Sequence, residues 1–382
     1  VKKISAVNKF HAKKESPEKI VHKKNLSTIS ILYTGGTLAS KVSYETGAVS
    51  AKFTAEEILL MFPELKDIAN VSSHLISNMF SEDLRFSHYN LIAREVEKEV
   101  KKGVKGIIIT HGTDTMHYTS AALSFILQDL NIPVILVGAQ RSSDRGSSDS
   151  GLNLLCAAQF ITKTDFSGVA ICMHESMSDE TCLIMPGLKT RKLHSSRRDA
   201  FKVVNALPIA RITKDGKVDF IIKNYNKREN KKLKLKLFNE KLKIGLLKVH
   251  TNMYQAEVKA YSGFDGLVIE GTGLGHMPIN KIDNFTKEHS LILNELSKLA
   301  KKIPVVMTTQ TLFGMVNMNV YSTGRKLTQL GVLGNYNDML PEVAFIKLAW
   351  LLSNYPKAQV KELISKNLAG EINEKLTKEF LE

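Results

Sequence analysis

The sequence predicts an α/β protein: a three-layer N-terminal domain built on a parallel sheet, followed by a smaller second α/β domain. Short apolar runs alternate with helically patterned stretches of roughly ten to fifteen residues, the rhythm of strand–helix crossover units. Runs such as Gly106-Ile107-Ile108-Ile109-Thr110 are continuously apolar, as strands covered on both faces are. The chain of 382 residues is long for one core, which favours two packed domains or one domain with a large extension.

Residues 1–26 are polar, lysine-rich and without periodicity, a flexible tail or the remnant of a linker. The first domain, 27–205, opens with an apolar, β-branched strand over 28–33. It stops at Thr34-Gly35-Gly36-Thr37, where paired glycines permit torsions that side chains forbid. Taken alone, that loop reads as a tight turn or a phosphate cradle. Helical spacing follows over 54–62 and 89–101. The strand 106–110 breaks at His111-Gly112-Thr113-Asp114, ahead of a helix over 121–130, and 133–137 and 169–173 are further strands. A connecting segment, 206–243, carries charge runs and the alternation Lys232-Leu233-Lys234-Leu235-Lys236-Leu237, which predicts an edge hairpin at the domain junction. The second domain, 244–382, has strands over 244–249, 266–269 and 304–308 and a helix over 341–352.

Composition limits the function classes. Hydrophobic residues make up 43% and charged residues 24%, which excludes global disorder. No stretch reaches the roughly 18 apolar residues of a membrane span, and no apolar run follows the charged N-terminus; the expectation is a cytoplasmic protein with no membrane partner. A net charge of +15 fits either a polyanionic partner such as RNA or a lysine-rich background. The excess is spread along the chain apart from 223–243 and Lys13, Lys14, Lys23 and Lys24, so it decides neither. Three cysteines, Cys156, Cys172 and Cys182, have no metal-type spacing and are expected as buried reduced thiols.

Ligands of open α/β sheets bind beyond the carboxyl ends of the strands, where Thr37 and Thr113 both lie. Two threonines therefore converge on one site. A threonine hydroxyl is a poor nucleophile unless a neighbouring base or charge takes up its proton, which Asp114 and Lys192 could supply. Backbone N–H groups freed by the glycines could hold an oxyanion.

Residues 34–39 and 110–118 together resemble the two signature segments of the asparaginase and glutaminase family, amidohydrolases with a threonine nucleophile and no metal. The resemblance implies Thr37 as primary nucleophile, with Thr113 and Asp114 as the second motif's threonine and aspartate, the latter also contacting the substrate's α-amino group. Helix capping is the competing account of Asp114. In the segment 187–201, spacing to Phe201 matches the family lysine to Lys192, not Lys189. Ser196 and Asp199 there also have the spacing of a capping box that would start a helix. Ser81 resembles the serine that binds the substrate carboxylate, with Glu82 or Asp83 near the amino group, against a reading as solvated loop residues. Tyr44 matches a lid tyrosine that hydrogen-bonds the nucleophile, against a packed loop aromatic.

Residues 138–145, 191–199, 270–276 and 338–343 resemble one branch of that family, the D subunits of archaeal glutamyl-tRNA(Gln) amidotransferases, and the likeness runs from residue 27 to about 375. Two departures stand out. The branch's small N-terminal β domain is absent before Thr37, so the chain is expected either to be a fragment or to lack that domain, and Gly146 stands where proline is common. The resemblance implies glutamine hydrolysis, with the ammonia passed to a partner E subunit that amidates Glu-tRNA(Gln) using ATP and Mg. It implies no cofactor in this chain; Gly271, Gly273 and Gly275 do not form the dinucleotide pattern. A homodimer bound to two partner chains is expected. The alternatives are a stand-alone cytoplasmic L-asparaginase and, from another class, a non-catalytic RNA-binding scaffold.

Overall fold

The computed structural model describes residues 22–36, 41–42, 49–50, 54–143, 146–376 and 378. Its strands begin with β1 Thr28–Tyr33, β2 Asn70–Leu75, β3 Gly106–Thr110, β4 Pro133–Val137, β5 Gly168–His174 and β6 Thr181–Pro186. A separate two-stranded ribbon, β7 Thr190–Lys192 and β8 Phe201–Val203, precedes β9 Ala210–Thr213 and β10 Val218–Phe220. Apart from the ribbon, these strands form one sheet in the order β10-β9-β6-β5-β4-β3-β1-β2. The chain runs from β1 outward to β2, then returns to place β3 on the other side of β1. The strand order therefore reverses between β1 and β3, and the crevice such a reversal opens lies at their carboxyl ends. Tyr33 pairs with Thr110, so the two strands end level and their loops leave side by side.

Neighbouring residues of β3 bury opposite faces. Ile107 and Ile109 pack with Ile92 and Val96 of the helix Phe86–Lys101 and with Phe125 of the helix Met116–Ile126. Ile108 packs the other way, with Leu154 and Phe160 of the helix Ser150–Lys163. Counting Ala55–Met61 as α1, these are α2, α3 and α4. Thr54 caps α1, its hydroxyl accepting from the Glu57 amide while the Glu57 side chain accepts from the Thr54 amide, a reciprocal box that satisfies two otherwise orphaned donors.

A second sheet is parallel, β11 Ile244–Lys248, β12 Gly266–Gly271 and β13 Val305–Thr309. One face is covered by α5, Lys287–Lys302. The other packs on α6, Pro341–Asn354, whose Trp350 stacks on Phe125 with ring centroids 5.4 Å apart and donates its indole N–H to the Lys236 carbonyl at 3.0 Å. One apolar core therefore runs from the first sheet through α6 into the second. Truncating a buried tryptophan of this kind costs about 3–5 kcal/mol.

The fold class is the expected α/β arrangement, with differences of detail. The large sheet is mixed: β2-β1-β3-β4-β5 are parallel, whereas β6, β9 and β10 run antiparallel to their neighbours. The edge hairpin expected within 206–243 is formed there by β9 and β10, and the lysine–leucine alternation lies outside it. Of that alternation only Lys234–Leu235 pairs, with Leu127–Gln128. Leu233, Leu235 and Leu237 do face the core, so the alternation marks one-sided burial without a long ladder. The helix expected over 121–130 starts five residues earlier and ends at Ile126. No helix starts at Ser196, because residues 193–200 form the turn of the β7–β8 ribbon, closed by the Leu193 amide on the Ala200 carbonyl. Asp199 pairs with the Arg197 guanidinium at 2.8 and 2.9 Å instead of capping.

Candidate active site

The loops after β1 and β3 are in backbone contact. The Thr34 hydroxyl donates to the Thr110 carbonyl at 2.8 Å, and the Thr34 amide reaches the same oxygen at 3.2 Å. Gly36 has φ +88°, and a Cβ there would lie 2.6 Å from the Gly112 amide nitrogen. Gly35 has φ +126°, and a Cβ there would lie 2.1 Å from the Met79 carbonyl oxygen. Only glycine meets both demands, the left-handed torsion and the close approach. Gly36 and Gly112, which directly precede Thr37 and Thr113, are thus packed against each other. Thr37 itself lies outside the described residues, as does Tyr44. The short strands flanking the latter, Lys41–Val42 and Val49–Ser50, pair antiparallel.

Across the crevice, β7 presents Lys192. Its Nζ donates to Thr113 Oγ1 at 2.8 Å and to Asp114 Oδ1 at 2.7 Å. The lysine side chain is 9% exposed and the aspartate 67%, so the pair has one wet end and one dry end. Asp114 does not cap α3, whose N-cap is Thr115. The neighbouring candidate Lys189 is turned away, bound to Asp338 of the second domain at 2.8 Å.

Ser81 is buried in a single 3-10 turn, Ser81–Asp83. Its Oγ accepts from the Thr115 amide at 3.3 Å, and its carbonyl accepts from the Thr115 hydroxyl at 2.6 Å. A Cβ on Gly112 would lie 2.9 Å from Ser81 Cβ. Ser81 therefore lines the second motif loop and is not a solvated loop residue. Glu82 and Asp83 are exposed, and Glu82 makes no side-chain hydrogen bond or ion pair among the described residues, so the structure does not bring it to the cluster.

A third strand-end loop completes the wall. A Cβ on Gly138 would lie 2.7 Å from Thr113 Cγ2. Asp149 holds this loop, accepting from the amides of Gln140 at 2.9 Å and Arg141 at 3.0 Å, while Asn153 donates to the Gly138 carbonyl at 3.0 Å.

Beneath the motif lie residues to which the sequence reading gave no role. His111 Nε2 lies 2.7 Å from the Thr119 hydroxyl, and its Nδ1 lies 2.6 Å from the Gly112 carbonyl, which fixes Nδ1 as the protonated nitrogen. Nε2 is then the acceptor. Burial pushes the His111 imidazole down to about 4 and that of His117 to about 3, so both are neutral at physiological pH. Burial pushes the Tyr118 phenol up to about 12. Arg191 and Glu342 form an ion pair next to Lys192 at 3.2 Å. Their partnership spans 151 residues, and no local spacing announces it.

Among the described residues no three His, Cys, Asp or Glu side chains gather as a metal would require, and no helix is long and apolar enough to cross a membrane. Cys156, Cys172 and Cys182 are free and buried. The cluster thus offers a hydroxyl on a lysine–aspartate pair, beside loops with glycine amides, in a crevice open to solvent at the aspartate. That combination suits proton transfer to and from a hydroxyl attacking a carbonyl carbon.

Residues 28–225 match the family model described as Asparaginase, N-terminal, and residues 243–364 match Glutaminase/Asparaginase C-terminal domain. The chain is 44% identical to the D subunit of the glutamyl-tRNA(Gln) amidotransferase of Pyrococcus furiosus, over 97% of its own length and 84% of the relative's. It is 45% identical to the same subunit from Methanococcus maripaludis strain C5, over 93% and 82%. Among solved structures, the thermostable L-asparaginase from Thermococcus kodakarensis superposes with a TM-score of 0.78 at 30% identity, covering 91% of this chain and 100% of that one. L-asparaginase I from Vibrio cholerae gives 0.78 at 28%, covering 91% and 99%.

Proposed function

The chain belongs to the asparaginase/glutaminase family, and from that premise we propose that it is the glutamine-hydrolysing subunit of a glutamyl-tRNA(Gln) amidotransferase. In this reading Thr37 Oγ adds to the side-chain carboxamide carbon of glutamine. The C–N bond breaks, and the nitrogen leaves as ammonia with the proton that the Thr37 hydroxyl gave up. Water then cleaves the acyl ester, releasing glutamate and restoring the hydroxyl. Thr113 carries the proton between nucleophile and leaving group, Lys192 stabilises negative charge on the Thr113 oxygen, and Asp114 holds the lysine and faces the substrate's amino group. Ser81 and Tyr44 serve substrate binding. In this reading Glu82 comes near the amino group only once substrate is bound.

The observation that carries this reading is the Lys192 ammonium bridging Thr113 and Asp114 from 79 and 78 residues away, at the loop packed on Gly36. The relatives named as D subunits of glutamyl-tRNA(Gln) amidotransferases support the wider assignment. In this proposal the ammonia goes to an E subunit, which uses ATP and Mg to convert Glu-tRNA(Gln) to Gln-tRNA(Gln), and this chain needs no cofactor of its own. A homodimer with two partner chains in the cytoplasm completes the proposal.

The test is co-expression with an archaeal E subunit, followed by ammonia release from glutamine with and without Glu-tRNA(Gln). Release stimulated by the charged tRNA is expected; absence of turnover in the co-purified complex refutes the assignment. The match to the Thermococcus kodakarensis asparaginase over that whole chain favours one second reading, a stand-alone L-asparaginase. Asparagine turnover by the isolated chain, unchanged when the E subunit is added, selects that reading.

A further inference from the structure

Side chains alternate along the ribbon strand β7. Lys192 faces the crevice, and Arg191 faces the second domain, where its Nη1 donates to Glu342 Oε2 at 3.2 Å. Glu342 follows Pro341 in the first turn of α6 and is 2% exposed. Its other oxygen, Oε1, lies 3.6 Å from His117 Nε2 and has no hydrogen-bond partner among the described residues. His117 is in the first turn of α3, four residues after Thr113. One carboxylate of the second domain therefore touches both arms of the site, the strand that carries Lys192 and the helix that follows Thr113 and Asp114.

Stability alone does not account for this arrangement. A buried polar atom left without a partner costs about 1–3 kcal/mol, and an apolar side chain of similar volume in place of a buried ion pair is often neutral or stabilising. His117 Nδ1 is unpartnered as well among the described residues. Burial raises the Glu342 carboxyl above the usual carboxylate range while the Arg191 guanidinium opposes that rise. Two incompletely satisfied polar groups are held face to face directly behind the Thr113–Lys192 contact. A proton relay works only at hydrogen-bond separation, and a shift of about 1 Å can cost about 10²-fold in rate.

We propose that Glu342 is a positioning residue of the amide hydrolysis, acting through Arg191 and His117 to set the separation between Lys192 and Thr113–Asp114, and that it makes the relay answer to the placement of the second domain. The inference rests on the hydrolytic reading given above. A second buried contact on the same ribbon, Lys189 with Asp338, holds its opposite end to the same segment of the second domain.

The test uses the full chain with its E subunit and compares wild type, Glu342→Ala, Glu342→Gln, Arg191→Met and the double variant Arg191→Met/Glu342→Ala in steady-state glutamine hydrolysis. Glu342→Ala is expected to lower kcat about 10²-fold while KM stays within about 3-fold. Glu342→Gln, which keeps the volume and an acceptor for Arg191, is expected to recover most of that loss. The double variant is expected to fall no further than the worse single, since the two side chains act as a unit. Unchanged kcat with only a lowered melting temperature, or losses that simply add, overturns the proposal. If Glu342→Ala does not fold, the Gln and Met variants carry the same comparison. A wild-type complex that hydrolyses neither glutamine nor asparagine instead refutes the hydrolytic reading, and this inference falls with it. Wild-type turnover with Lys192→Met inactive and Glu342→Ala fully active refutes the positioning role alone.

Discussion

Two lysines on one short ribbon, Lys189 and Lys192, meet opposite surroundings. Lys192 bridges a hydroxyl and a carboxylate that is 67% exposed, whereas Lys189 and Asp338 are both 3% exposed. Asn373 further saturates Asp338, donating its amide at 3.0 Å and its side chain at 2.7 Å. The dry pair has no route for exchanging a proton with a substrate, and removing one partner strands a charge. The half-wet pair sits where a substrate can enter and take part. Identical residue types three positions apart thus meet different surroundings, a dry clamp at Lys189 and, in the proposed mechanism, a chemical group at Lys192.

Substitutions can break that contrast. The largest effects belong to the wet side: Thr37→Ala is expected to abolish glutamine hydrolysis, and Thr113→Ala, Asp114→Asn and Lys192→Met to lower it about 10²–10⁴-fold. Amidation of glutamate from added ammonium should persist in the complex, which separates loss of chemistry from loss of assembly. Lys189→Met should act the other way, lowering unfolding free energy by about 3–5 kcal/mol in urea titration because Asp338 is left buried and unpaired. Lys192→Met should destabilise far less. Equal losses of stability for the two lysines would erase the distinction.

The third effect concerns pH. His111 binds its proton less readily in the folded chain, at about 4, than at its ordinary value of 6.5. Between these values the unfolded chain carries more protons, so stability is fully present above about pH 6.5 and is lost as pH falls toward about 4. The contribution is on the order of 3 kcal/mol, and His117 acts in the same direction. Urea titrations between pH 7 and 4.5 should therefore show a shallower slope for His111→Gln than for wild type. The smallest effect is on the surface. Lys234 pairs with Asp129 at 3.0 Å with 73% and 37% exposure, and Lys234→Ala is expected to change stability by less than about 0.5 kcal/mol and to leave hydrolysis unaltered.

The strand ends and glycine turns that frame the site are legible in the sequence because they are local. The strand ends at Thr34 and Thr110 are announced by apolar runs meeting glycine, and the two glycines of Gly35-Gly36 are demanded by torsion and by contact with Met79 and Gly112. Choosing Lys192 over Lys189 needed the family spacing, since both lysines follow the same strand end and only the fold decides which faces Thr113. The clamp of Arg191, Glu342 and His117 could not be read, because a pairing across 151 residues leaves no periodic trace. The edge hairpin lies inside the expected segment 206–243 as β9 and β10, whereas the lysine–leucine alternation reports only one buried face, and whether a neighbouring strand pairs with it depends on distant chain. The competing capping-box reading at Ser196 is not realised. His194 Nδ1 accepts from the Ser196 and Arg197 amides at 3.1 Å, giving those donors a partner without a helix.

In the proposed mechanism a threonine hydroxyl, served by the Thr113–Lys192 contact, is the group that attacks the amide. That step is tested most directly by incubating the full chain with a glutamine analogue that carries a diazoketone in place of the carboxamide and mapping the adduct by peptide mass spectrometry. A single adduct on Thr37, absent from Thr37→Ala and slowed by Lys192→Met, is the expected result. An adduct on another side chain, with Thr37 unmodified in a protein that has lost its hydrolytic activity, contradicts it.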